Sequence, residues 1–123
     1  APQELLNEIH GSWYAPDNPV VPMSGTLRED LFLDMAECAE TCDLSVAIGT
    51  SVCGLNADRV VTIPAAAAAK GQALGAVIVA LQRTVHDAEA TLRVFARCDE
   101  LWRMVAEMMD LDVAPALPKG EYF

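Results

Sequence analysis

Residues 75–81, reading Gly-Ala-Val-Ile-Val-Ala-Leu, are apolar after the glycine at every position. An extended segment turns successive side chains to opposite faces, so a run like this hides both faces only as a central strand of a parallel sheet. A second apolar run, Leu44, Val46, Ala47 and Ile48, stops abruptly at Gly49-Thr50-Ser51 and reads as another buried strand feeding a loop. Between the two, residues 58–70 are alanine-rich and favour helix, with Pro64 expected at a first turn or as a break and Gly71 as the terminator.

The remaining segments fall around this centre. Leu5, Leu6 and Ile9 form a short apolar stretch ending at His10-Gly11, read as a first strand and its loop. Pro16, Pro19 and Pro22 exclude helix interior and central strand from residues 12–22. Thr26 with Glu29 three residues on has the form of a capping box, and Leu27, Leu31, Met35, Cys38 and Cys42 follow at helical spacing, so a helix is expected to about Thr41. Residues 92–95 alternate as a short strand. Residues 98–109 carry Leu101, Trp102, Val105 and Met108 or Met109 as a stripe expected to be buried. The order implies an α/β fold: a parallel sheet of about four strands flanked by about three helices, one domain over residues 1–112. Residues 113–123, with Leu117, Tyr122 and Phe123 among prolines, read as an extended tail that orders on a neighbour.

Charge and cysteines exclude several classes. Eight basic against eighteen acidic residues give a net charge of −10, which repels phosphate backbones, so nucleic-acid binding is not expected. No apolar run approaches the roughly 18 residues needed to span a bilayer. Cys38, Cys42, Cys53 and Cys98 contain no Cys-x-x-Cys pair, which argues against a zinc site and for buried thiols in a reducing compartment. Ala1 in place of Met suggests N-terminal processing, and with it an organelle.

Few residues offer chemistry. Gly49, Thr50 and Ser51 have two readings: a strand-end loop that admits a sugar or phosphate, or plain turn chemistry between strand and helix. His10 beside Gly11 is a candidate general base, or else a solvated loop histidine. His86 has weaker claims, and Cys53 has no sequence neighbour except Arg59 to activate it. Asn56, downstream of the Gly-Thr-Ser turn, is a further candidate for a ribose contact.

Taken together, four runs resemble a known order of motifs: Ile-His-Gly-Ser-Trp-Tyr at 9–14, Ala-Ile-Gly-Thr-Ser-Val at 47–52, Ala-Val-Ile-Val-Ala-Leu-Gln-Arg-Thr at 76–84, and the closing residues 87–108. Order and spacing are similar to the second half of a sirtuin, the NAD-dependent protein deacylases. The resemblance implies a partial Rossmann-like domain with His10 as the general base, Gly49, Thr50 and Ser51 at the cofactor's ribose and phosphate, and Cys98 beside the adenine.

The departures are equally specific. The family's Gly-Ala-Gly phosphate loop, flexible cofactor loop and Asn-Ile-Asp motif, which precede the His-Gly pair, are missing from this sequence. Only residues 12–22 separate Gly11 from Met23, where the family carries its zinc module, and Met23-Ser24-Gly25 stands in place of Phe-Gly-Glu. Ala80 replaces the asparagine that ends the family's Val-Ile-Ile-Asn strand, and Ala96 the glycine before the last helix. The expectation is a chain that alone holds NAD weakly or not at all, binds no zinc and is not a competent deacylase. It would act as an accessory or structural subunit of a larger assembly, with a protein partner covering its exposed edge. The alternative is the C-terminal part of a deacylase whose first half lies elsewhere. A free-standing nucleotide-binding module is a third.

Overall fold

A computed structural model describes residues 5–54 and 56–113. Three parallel strands, β1 (Leu44–Ile48), β2 (Gly75–Val79) and β3 (Leu92–Val94), form one sheet in the order β1-β2-β3, accompanied by helices α1 (Glu29–Thr41), α2 (Arg59–Ala68) and α3 (Cys98–Met108). The α/β class is as expected; the sheet has three strands among the described residues rather than about four. The expected tail beyond residue 113 lies outside them.

The missing strand is the one expected over residues 5–9. That segment is tethered to α1 by a side chain instead of by a ladder: Asn7 Nδ2 donates to the Leu31 carbonyl at 2.8 Å and to Asp34 Oδ2 at 2.7 Å. The Glu8 carbonyl is spent on a turn, accepting from Gly11 N–H at 2.8 Å and from Asn18 Nδ2 at 3.1 Å. Three apolar residues in five satisfied the strand pattern, but their backbone groups had better partners nearby.

α1 begins two residues later than the capping box suggests. Arg28 is its N-cap in extended backbone with no side-chain cap, while Glu29 and Asp30 place negative charge on the first turn, where the helix dipole favours it. Met35 and Ala39 are its buried residues, whereas Cys38 is exposed and Cys42 half-buried. The inward face is thus rotated from the one expected.

α2 is a single helix with Pro64 in its interior, neither broken nor displaced to the first turn. A proline there forfeits one backbone bond. Its ring is fully buried, as is Val61, so packing offsets that loss. The core joins Val61 and Ala65 of α2 to Ala47 of β1, Val52 of the following loop, and Ala76 and Ile78 of β2. This β1-α2-β2 unit covers one face of the sheet.

The other face is not covered over β1. Ser45 and Ala47 turn toward the core, while Leu44, Val46 and Ile48 on the opposite side are 45%, 38% and 47% exposed. The run around Val46, read as a buried strand, is therefore buried on one face only, although β2, held between two strands, is buried or half-buried throughout. α3 differs likewise from expectation. Its apolar residues keep helical spacing, yet none is buried, and Trp102, Met108 and Met109 are exposed. β1 pairs with β2 along one edge, and no described residue pairs with its other edge.

Candidate functional site

Because all three strands run the same way, their carboxyl ends open at one edge of the sheet. β1 delivers Gly49, Thr50 and Ser51; β2 delivers Ala80, Leu81, Gln82, Arg83 and Thr84; β3 delivers Ala96 and the start of α3, with Arg97, Cys98 and Asp99. Together they line a cleft of about 480 Å³, within the size range of small-ligand sites. Gly49 adopts a left-handed conformation at φ 63°, and a Cβ there would meet nothing, so approach over its backbone is open. Thr50 Oγ1 accepts from Val52 N–H at 3.1 Å, which leaves the hydroxyl hydrogen available to donate elsewhere. Val52 itself is buried with φ 47°, an outlier for a β-branched residue, so the turn is held in strain by the core beneath it. On the opposite wall, α3 starts with no side-chain cap, leaving first-turn N–H groups without that partner.

The sequence-derived candidates divide between this cleft and its neighbours. Gly49, Thr50, Ser51 and Cys98 share the cleft, whereas His10 and Asn56 do not line it. His10 borders a hollow of about 240 Å³ with Thr50, Ser51, Cys53 and Asp58, and another of about 190 Å³ with Met23, Gly25 and Asn56. Thr50 and Ser51 are therefore the partition between the large cleft and the His10 hollow. The histidine is exposed on a clamped loop: Val21 N–H donates to its carbonyl at 2.9 Å, and Ser12 N–H donates to the Asn18 carbonyl at 2.8 Å. Gly11, at φ 86°, lies so close to Pro19 that a Cβ would overlap the proline carbonyl. His86 proves better connected than its sequence context implies. Its Nε2 lies 3.6 Å from Asp58 Oδ2 and its Nδ1 3.2 Å from Glu89 Oε2, linking the loop after β2 to the start of α2.

Sequence reasoning missed the wall formed by residues 81–84 and the Arg93 that braces it. The signal available was position, since a loop after a buried parallel strand opens at the same sheet edge as Gly49. Within this loop the Asp87 carboxyl is held below the usual carboxylate range by the hydroxyl of Thr84 and by Arg93. No group of three or more His, Cys, Asp or Glu side chains among the described residues is placed to hold a metal, and the four cysteines are free thiols.

No family model matches the sequence, and no curated protein matches it. Solved structures do match in fold. One described as the structural basis for sirtuin substrate affinity superposes with a TM-score of 0.67 at 22% identity, over 77% of this chain and 38% of that one. A Sir2 complex with a p53 peptide and NAD+ gives 0.66 at 22%, over 76% and 37%. A Sir2 complex with the inhibitor EX-527, 2'-O-acetyl-ADP-ribose and deacetylated p53 peptide gives 0.65 at 23%, over 77% and 40%. The chain shares its fold with part of a sirtuin. It spans well under half the length of these sirtuin structures, in keeping with a sheet that stops at β1. No helix among the described residues is long and apolar enough to cross a membrane.

Proposed function

We propose that this chain is the adenosine-and-ribose-binding half of a sirtuin-type NAD site, incompetent for deacylation until a further strand-bearing unit completes the sheet at β1. The observation that carries this reading is the convergence of Gly49, Thr50, Ser51 and Cys98 on one cleft at the carboxyl ends of three parallel strands, beside a β1 edge with which no described residue pairs. The residues suit one end of NAD. Gly49 leaves room for close approach, Thr50 and Ser51 offer hydroxyls to a ribose, and the α3 N-terminus favours negative charge. Nothing in the sequence supplies a glycine-rich loop for the pyrophosphate. When bound in a complete site, NAD supplies the activated ribose that takes the acyl group. In this reading His10, across the Thr50-Ser51 partition, accepts a proton from a ribose hydroxyl.

A second reading is favoured by Ala80 and Ala96 in the cleft, where the family likeness puts asparagine and glycine. Without those groups the adenosine end is weakened, and the chain serves as a catalytically inactive accessory subunit whose uncovered β1 face seats a protein partner. Titration of the full chain with ADP-ribose and NAD separates the two. The first reading expects a dissociation constant of about 100 μM to 1 mM, roughly 5.5 to 4 kcal/mol, for both ligands. Undetectable binding at several millimolar, with the chain still folded, leaves the subunit reading. Binding far tighter than about 100 μM means that no completing unit is needed for recognition, and returns the chain to a free-standing nucleotide module.

A further inference from the structure

The wall formed by Ala80, Leu81, Gln82, Arg83 and Thr84 belongs to a loop, and a loop leaving a sheet edge is ordinarily its most mobile part. Here it is tied down from within by one side chain. Arg93 of β3 is nearly enclosed, with a side chain 10% exposed. Its Nη1 donates to the carbonyls of Ile78 at 3.1 Å, Ala80 at 3.0 Å and Val94 at 2.7 Å. Its Nη2 donates to the Gln82 carbonyl, and its Nε to Asp87 Oδ1 at 2.6 Å. Asp87 Oδ1 in turn accepts from the Thr84 hydroxyl at 2.7 Å. The guanidinium lies over the Phe95 ring, its Cζ 3.8 Å from the centroid.

The contacts to Ala80 and Gln82 grip the cleft wall directly and Asp87 extends the grip to Thr84, while those to Ile78 and Val94 fix the guanidinium to β2 and β3. All three nitrogens of Arg93 engage protein acceptors, Nη1 sharing its two hydrogens among three carbonyls, so the side chain is committed to the fold rather than to the cleft. A planar fork that reaches five acceptors while stacking on an aromatic face is a task for arginine; a lysine ammonium has three donors in a different geometry and no flat face.

We infer that Arg93 is a positioning residue of the cleft, holding Gln82, Arg83 and Thr84 in a ligand-ready wall through its clasp with Asp87. This rests on the reading of the cleft as a nucleotide site. The clasp is made wholly of the chain's own groups, so it orders the wall at the protein's expense rather than the ligand's, and its loss is felt as lost affinity.

The test is hydrogen exchange by mass spectrometry on the full chain at sub-micromolar concentration, with and without ADP-ribose, for the parent, Arg93→Lys and Asp87→Asn. Both substitutions leave the cleft-lining residues in place. The expected result is that amides of residues 82–86 exchange at least tenfold faster in both variants while α2 and β2 stay protected. The ADP-ribose concentration giving half-maximal protection should rise at least tenfold in Arg93→Lys and about threefold in Asp87→Asn. Parent and variants binding ADP-ribose equally, with α2 and β2 protected, would overturn the positioning role and leave the nucleotide site standing. Faster loop exchange in the variants, with no ADP-ribose protection even in the parent, removes the nucleotide site and the positioning role with it.

Discussion

Replacing Gly75 with alanine is expected to unfold the protein. Gly75 opens β2 at φ 109°, a conformation closed to residues with a Cβ, and the added methyl would overlap Thr91 Oγ1 and lie 2.9 Å from the Ala68 Cβ. Thr91 cannot simply turn away, because its hydroxyl accepts from Ala76 N–H at 3.2 Å. Strain, overpacking and a lost hydrogen bond each cost about 1–3 kcal/mol, and together reach the scale of a small domain's whole stability, about 5 kcal/mol at the lower end. Circular dichroism on Gly75→Ala should show loss of the cooperative transition. Adding Thr91→Ala relieves the overlap but not the φ, so the double variant should recover part of the stability. A Gly75→Ala chain with an unchanged denaturation midpoint would show that the start of β2 is not the constraint described.

The second large effect is on association. Expressed alone, the chain should self-associate at micromolar concentration, because Leu44, Val46 and Ile48 form an apolar row beside a strand edge with which no described residue pairs. Val46→Lys with Ile48→Lys should convert it to a monomer with little cost to folding, since both side chains point away from the core formed with α2. Sedimentation velocity of parent and variant reads the difference. A parent that sediments as a monomer and unfolds in one sharp transition would mean that β1 tolerates its exposure and that no covering unit is required.

Legibility from the sequence followed the physics of each element. β2 was readable because a run without polar residues has one stable home, and α2 because alanine favours helix so strongly that even Pro64 did not stop it. The segment at residues 5–9 was misread because hydrophobicity says nothing of where backbone groups find partners, and Asn7 decided that. The α3 stripe was right in spacing and wrong in burial: periodicity shows that a helix has an apolar face, not that anything packs on it. In the site, Gly49, Thr50, Ser51 and Cys98 line one cleft because parallel strands open at one edge. Arg93 was opaque. A charge between Leu92 and Val94 looks like the solvent face of an alternating strand, and only the pairing of Ile78 with Arg93 places it under the loop.

The core cluster has an implication for the order in which the molecule assembles. Ala47, Val52, Val61, Ala65, Ala76 and Ile78 all fall within one stretch of chain, so the contacts that need the shortest loop closure are those that bury the most. The β1-α2-β2 segment is accordingly the natural nucleus, with α1 and α3 as late arrivals. Under native conditions α3, which buries no residue, should open first and at the smallest free energy, while the Ile78 amide should exchange only with global unfolding. An α3 as protected as Ile78 would contradict this. The helix bordering the cleft is thus the least committed part of the structure, and it is the part that a bound nucleotide would recruit into the folding unit.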